Sequence, residues 1–166
     1  SDGHIALIID QNNKVHVWHD RLFNIEGTTG LSYFPNSTSL MYWTDDMGTN
    51  EGKILGKTVR MDYDGDCQAS VDFNAFETQS YGNSLVGHPS AGIDADGNLY
   101  LAFSSVRDGA FETLRPDNRI YRDIYLIKST DGGETWEGPI NLTDDPTSED
   151  VYPAIQRNVG SHVHLV

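Results

Sequence analysis

The 166-residue chain has a single cysteine, Cys67. One thiol excludes an intramolecular disulfide framework and a cysteine-based zinc site, while leaving secretion open, because large exported proteins often fold without disulfides. Basic residues are scarce: 11 Lys and Arg stand against 25 Asp and Glu, a net charge of −14 at pH 7 with no contiguous basic run. Polyanions repel such a chain, which argues against nucleic acid and anionic membrane surfaces as partners. No stretch approaches the ~20 apolar residues that cross a bilayer, so direct membrane insertion is not expected. A basic-plus-apolar leader is missing too. The sequence opens at Ser1-Asp2-Gly3, and any targeting segment is expected to have been removed or to lie outside this stretch.

What is present argues for a folded chain. Hydrophobic residues make up 37%, and there are 3 Trp, 8 Tyr and 6 Phe, enough to build a core. The apolar runs recur as a unit. His4 to Asp10, a turn at Gln11-Asn12-Asn13, and Lys14 to Trp18 read as strand, turn, strand. The pattern returns at His88 to Asp94, Ala95 to Asn98 and Leu99 to Phe103, and again at Tyr152 to Asn158, a turn near Gly160, and Val163 to Val166. The three copies align without gaps, matching His4 with His88 and Tyr152, and Asp10 with Asp94 and Asn158. Asp-Gly and Asn-rich turns between apolar runs are hairpin chemistry. A third strand follows at Leu40–Trp43 and Ile124–Ile127, and a fourth is expected near Lys57–Met61 and Pro139–Leu142.

After the second of these third strands stands Ser129-Thr130-Asp131-Gly132-Gly133-Glu134-Thr135-Trp136. An Asp there can accept backbone N–H bonds from its own turn, the glycines allow positive φ, and the Trp is a large apolar anchor. With Ser129, Asp131, Gly133, Thr135 and Trp136 in place, the segment resembles the Asp box of sialidase-like (BNR-repeat) β-propellers, of the secreted bacterial type. Thr44, Asp46 and Gly48 resemble a degenerate first copy without its Trp. The resemblance implies an all-β fold of four-stranded antiparallel blades. Blade 1 is expected at about 4–66, an inter-blade insertion at about 62–87, blade 2 at about 88–143, and the start of blade 3 at about 152–166. Two and a half blades cannot close a ring and would leave unpaired edges. The expectation is therefore that residues 1–166 belong to a larger propeller; an independent sandwich is the alternative.

In such blades the Asp boxes and the first-to-second strand turns share one rim. Residues 20–38, 62–87 and 104–122, read as long insertions, share the other, where binding surfaces usually sit. That rim would carry His4, His88 and Tyr152 at the starts of the innermost strands, together with Arg107, Arg115, Arg119, Tyr121 and Arg122 as candidate ligand-binding residues. Guanidinium groups pair with carboxylates and aromatic faces stack on sugars, and a local positive patch for an acidic glycan is expected. The arginines could equally pair with the neighbouring Asp108, Glu112, Asp117 and Asp123.

Asp62, Asp64 and Asp66 alternate as in calcium loops, but Cys67 and Phe73 stand where an EF-hand would want Gly and Glu. A solvated turn is the plainer reading, with calcium the only cofactor suggested. Asn36-Ser37-Thr38 and Asn141-Leu142-Thr143 match the N-glycosylation pattern. Sialidase resemblance implies an arginine triad, a Tyr/Glu nucleophile pair, an acid/base Asp and an Arg-Ile-Pro motif. The last is absent from this stretch, and no residue here matches a catalytic motif specifically enough to be assigned.

The leading expectation is a secreted or cell-surface propeller that recognises glycan or an extracellular protein without catalysis, packed against the remainder of its own larger chain. An exo-sialidase-like glycoside hydrolase with its catalytic residues elsewhere is the main alternative. A passive spacer in an adhesin-like protein is the third.

Overall fold

The structure is a computed structural model that describes residues 4–28, 30–49, 52–55, 77–78, 86–106, 119–145 and 147–166, with backbone alone for 22–26, 31–38, 54, 77–78, 106 and 119–120. In chain order the strands are β1 (Ile5–Ile9), β2 (Val15–Gly27), β3 (Gly30–Thr44), β4 (Lys53–Ile54), β5 (Glu77–Thr78), β6 (Val86–Asp94), β7 (Leu99–Val106), β8 (Arg119–Ile120), β9 (Arg122–Ser129), β10 (Glu137–Asn141) and β11 (Asn158–Val159). One 3-10 turn, Asp45–Met47, is the sole helical element among the described residues. The strands form a sheet β1-β2-β3-β4, a sheet β10-β9-β7-β6-β11 and a short β5-β8 pair. All-β architecture is what the repeated strand–turn–strand units and the Asp-box resemblance imply.

The hairpin repeat is visible in the pairing register. Ala6 pairs with Trp18 and Ser90 with Ala102. Ala154 and Val166 exchange two backbone hydrogen bonds of 2.9 and 3.0 Å beside the Ile155–Leu165 bridge. These are the positions that the gapless alignment matches. Turn chemistry repeats with them. Asp10 Oδ1 accepts from the N–H groups of Asn12 and Lys14, both at 2.8 Å. Asp94 Oδ1 accepts from Asp96 and Asn98 at 3.0 and 2.9 Å. A carboxylate that satisfies two turn donors explains why the first two hairpins have Asp at their corners.

Residues 20–38 correct the sequence reading: they are not a loop insertion but the outer half of a long hairpin. β2 and β3 pair out to Gly27 and Gly30 at the tip. The register slips between Arg21 and Phe23, which face Ser39 and Phe34, so Pro35 to Thr38 bulge from the ladder. Proline is tolerated at such an interruption because it has no N–H to offer. Most of the other two predicted insertions, including Asp62, Asp64, Asp66, Arg107 and Arg115, lies outside the described residues. So does the fourth strand expected near 57–61; the strand that pairs with β3 is β4. β10 matches the other fourth strand.

Alternation along the strands sorts the faces. Ala6, Ile8, Trp18, Leu40 and Tyr42 from the first sheet pack on Leu99, Leu101, Phe103, Tyr125 and Ile127 from the second. The opposite face of the second sheet presents Ala102 and Ile124 to Ile155 of the third hairpin. Both faces of β7 are thus covered, in keeping with its near-continuous apolar run. A side chain buried like Phe103 contributes roughly 2–3 kcal/mol.

The turn after β9 locks the joint between the sheets. Ser129 Oγ donates to Asp131 Oδ1 and accepts from Gly133 N–H, both at 2.8 Å. Asp131 accepts from Thr135 N–H at 2.9 and 3.0 Å and from the Thr135 hydroxyl. The Thr135 hydroxyl, its N–H and Ser129 hold the Asp131 carboxyl down at about 2. Its stabilisation is therefore present above the ordinary carboxylate pKa and is lost as pH falls toward 2. Gly133 has φ +92, and a Cβ there would overlap the Tyr42 hydroxyl and ring. Trp136 is half-buried rather than largely buried, edge-on to Trp18 at 6.0 Å and to Tyr42 at 5.4 Å.

The segment after β3 is built differently. Asp46 pairs with Lys14 at 2.8 Å, Asp45 accepts from Val15 N–H at 3.2 Å, and Thr44 makes no side-chain cap bond. Without an acid accepting its own turn's N–H groups, the chain closes as a 3-10 turn, ending at Gly48 with φ +60.

Trp136→Ala should cost about 2–3 kcal/mol, less than a fully buried tryptophan would. Glu134→Ala, which keeps the Glu134 carbonyl bonded by Lys53 at 3.0 Å, should cost under about 0.5 kcal/mol. Urea unfolding of the two variants checks this; equal midpoints would show that the indole is not packed against Trp18 and Tyr42.

Candidate functional site

The end of the molecule opposite the Asp131 turn brings together His4, His88 and Tyr152. Their rings form a row: His4 to His88 at 4.2 Å between centroids and tilted by 56°, His88 to Tyr152 at 4.8 Å and edge-on. His88 is buried, His4 half-buried, and Tyr152 is 65% exposed. The row ends in one exposed aromatic side chain, Tyr152, in contact with the buried His88.

Backbone geometry explains how His88 reaches that position. The β6–β7 register slips between Gly87 and Ser90, and His88 sits in the bulge with φ +54. A left-handed non-glycine residue costs of order 1 kcal/mol or more and persists where surrounding structure holds it. Here the Nδ1 atom is bonded to the Ser104 hydroxyl at 2.9 Å, and Ser104 Oγ lies 3.4 Å from Gly87 O. Bulges of this kind re-aim a side chain.

Behind the row lies a group of buried polar side chains. Ser104 and Ser105 end the apolar part of β7, and Asp20 occupies the matching place on β2, fully buried. Arg122 and Asp123 open β9, also buried. Asp123 accepts from Asn141 Nδ2 at 2.8 Å and from the Thr143 hydroxyl at 3.3 Å. Residues 149–152 cross over this end of the sheet, tied at one side by Asp150 N–H to Arg122 O at 3.0 Å and at the other by Tyr152 on His88.

Glu149 is the outlier. Its side chain is 14% exposed, and both carboxyl oxygens are buried without a hydrogen-bond partner. Arg122 Nε stands 3.9 Å from Oε1, beyond bonding range. Burial raises the Glu149 pKa, and the nearby Arg122 backbone N–H and guanidinium charge only partly oppose this. Buried carboxyls with raised pKa concentrate at functional sites.

Of the candidates named from sequence, the row His4, His88, Tyr152 is assembled. Arg122 is buried beneath it, and Tyr121 is half-buried beside Arg122. Arg119 lies in β8, paired in parallel with β5, its side chain not described. The arginines that would carry a positive patch, Arg107 and Arg115, lie outside the described residues, and the Arg119 side chain is not described. Asn141, read as part of a glycosylation sequon, has its amide committed to Asp123 and to the Tyr125 hydroxyl at 3.2 Å. Among the described residues no three His, Cys, Asp or Glu side chains are grouped to hold a metal.

Sequence reasoning missed Asp20, Ser104 and Glu149. The first two carried a signal: they are matched polar residues closing matched apolar strands. Glu149, in the polar stretch Thr143 to Asp150, carried none.

No protein-family model matches the chain, and no curated protein matches it. Among solved structures it is similar to a protein of unknown function from Dyadobacter fermentans DSM 18053, with TM-score 0.55 and 16% identity, covering 92% of this chain and 42% of that one. It is also similar to the Hadza microbial sialidase Hz136, with TM-score 0.50 and 16% identity, covering 93% of this chain and 28% of that one. The chain thus spans less than half of either neighbour. At this identity the likeness concerns the fold alone, and it is consistent with part of a propeller-like all-β fold.

Because its folded pKa is raised, Glu149 favours folding only where it is protonated, and that contribution is lost as pH rises above the ordinary carboxylate pKa. Glu149→Gln should therefore favour stability more at pH 7 than near pH 4, where the carboxyl is already neutral. Thermal melts at the two pH values check this; a less favourable effect at the higher pH would show that the carboxylate is well paired.

Proposed function

We propose that the chain forms blades of a secreted or cell-surface β-propeller that recognises glycan, without catalysis, at the rim carrying His4, His88 and Tyr152. The observation that carries this reading is the exposed Tyr152 ring backed by His88, which a bulge and a left-handed backbone hold in place. An exposed aromatic ring held by a buried neighbour suits a pyranose, whose apolar face can stack on it. The chain's net charge of −14 favours neutral, hydroxyl-bearing sugars over polyanionic ones.

The neighbouring sialidase Hz136 supports a second reading, a glycoside hydrolase of sialidase type. Glu149, with its raised pKa, has the property a general acid needs.

A glycan array on the full-length protein, followed by titration of any hit, separates the two. Under the recognition reading Tyr152→Ala weakens binding at least about tenfold, worth 1.4 kcal/mol. Tyr152→Phe retains most of the affinity, and no product is released from a fluorogenic sialoside. Binding unchanged by Tyr152→Ala removes this rim from the site. Sialoside hydrolysis abolished by Glu149→Gln would establish the enzyme instead.

A further inference from the structure

Tyr42 stands at the joint between the two large sheets with one hydroxyl proton and two acceptors. Its oxygen is 2.7 Å from His16 Nδ1 and 3.2 Å from the Gly132 carbonyl. Burial pushes the phenol far above its ordinary pKa, so it keeps its proton throughout the neutral and acid range. His16 is buried, its ring 6.1 Å from that of Trp18 and 6.0 Å from that of Tyr42, which themselves lie 5.4 Å apart. Its other nitrogen, Nε2, has no hydrogen-bond partner, and Asp10 Oδ2 lies 3.6 Å away.

A neutral imidazole has one N–H and cannot serve both sides. With the proton on Nε2, it points to Asp10, Nδ1 accepts from Tyr42, and the Gly132 carbonyl loses the Tyr42 proton. With the proton on Nδ1, Tyr42 can donate to Gly132, but the Nε2 lone pair then faces the Asp10 carboxylate. Of these two, the first avoids the repulsion and uses the shorter contact. Only the imidazolium satisfies every group at once: Nε2–H toward Asp10, Nδ1–H to the Tyr42 oxygen, and the Tyr42 hydroxyl to Gly132.

We propose that His16 is a proton-operated latch: uptake of one proton turns the Tyr42 hydroxyl from His16 onto the Gly132 carbonyl, so that acidification ties the first sheet to the Asp131 turn of the second. One covalent bond is made, the Nδ1–H of the imidazolium, with a proton taken from solvent; every other change is an exchange of hydrogen bonds.

The charges around the latch come from both sides of the joint. Asp10 and Lys14 face His16 from the β1–β2 turn and Asp45 from the 3-10 turn, while Asp46 holds Lys14. Across the joint Asp131 and Glu134 face Tyr42, with Lys53 reaching the Glu134 carbonyl. Burial lowers the His16 pKa below 6.5, more than Asp10 and Asp45 raise it. Protonation therefore falls on the acid side of 6.5. Because the folded pKa is lowered, the unfolded chain takes up the proton first, and overall stability declines as pH drops through this window even while the Tyr42–Gly132 bond is gained. The latch redistributes bonds at the joint at the expense of global stability.

Nuclear magnetic resonance of the uniformly 13C,15N-labelled full chain, titrated from about pH 8 to about pH 5, reads both ends of the relay. At the high end His16 should carry its proton on Nε2. On acidification the imidazolium should form, and the Gly132 carbonyl 13C resonance should move with the same midpoint. In Tyr42→Phe the Gly132 response should vanish while His16 still titrates. Asp10→Asn, which keeps the phenol, should lower both midpoints together. An Nδ1-protonated His16 at pH 8, a Gly132 carbonyl that does not titrate, or Gly132 and His16 midpoints that separate in Asp10→Asn would each overturn the latch.

Discussion

Gly133 has no side chain, and the Tyr42 ring occupies the space where one would be. This contact sets how closely the two large sheets approach. Around it gather the edge-on indoles of Trp18 and Trp136, the Lys53 ammonium on the Glu134 carbonyl, and the Gln11 amide on the Ala95 carbonyl at 2.7 Å. Each of these links the first sheet to a turn of the second, so the turns act as fittings rather than as passive connections. With the joint fixed, β1 and β6 lie side by side, and their opposite ends bring His4 against His88. The geometry of the far rim thus depends on a missing methyl group at the near one.

The two rims treat polar groups in opposite ways. At the Asp131 end the Ser129 hydroxyl, the Gly133 N–H and the Thr135 N–H find acceptors within two to four residues, and the carboxyl pKa is lowered. At the His88 end a left-handed residue, a bulge and a buried carboxyl with a raised pKa are held within a few strands of one another. The first arrangement lowers the folded state's energy and the second raises it. Backbone strain and a buried carboxyl held close together are a reason to look there for function.

Much of the fold was legible because hairpin chemistry is local. The match of Asp10 with Asp94 predicted both the turn bonds and the strand register, since a carboxylate at that corner admits few alternatives. Ser129 to Trp136 was readable for the same reason. Residues 20–38 were misread because Pro35 and a run of polar residues look like a loop, whereas the bulge that accommodates them is set by pairing on either side. Thr44 to Gly48 has the spacing of an Asp box, but Lys14 claims Asp46 from a distant turn, and no local pattern encodes that. At the site, the aromatic row followed from strand starts. Glu149 did not, because its burial arises from the path of residues 149–152 over β9 and β6.

The central claim is that the Tyr42 ring over Gly133 joins the sheets, and a double-mutant cycle measures it most directly. Gly133→Ala should cost more than the roughly 1 kcal/mol expected of alanine at a positive φ, because the new methyl meets the ring. In a Tyr42→Ala background the same substitution should cost at least about 1 kcal/mol less, the size of coupling expected between residues in direct contact. Urea unfolding of the four proteins supplies the comparison. A Gly133→Ala cost that is the same with and without the Tyr42 ring would contradict the account.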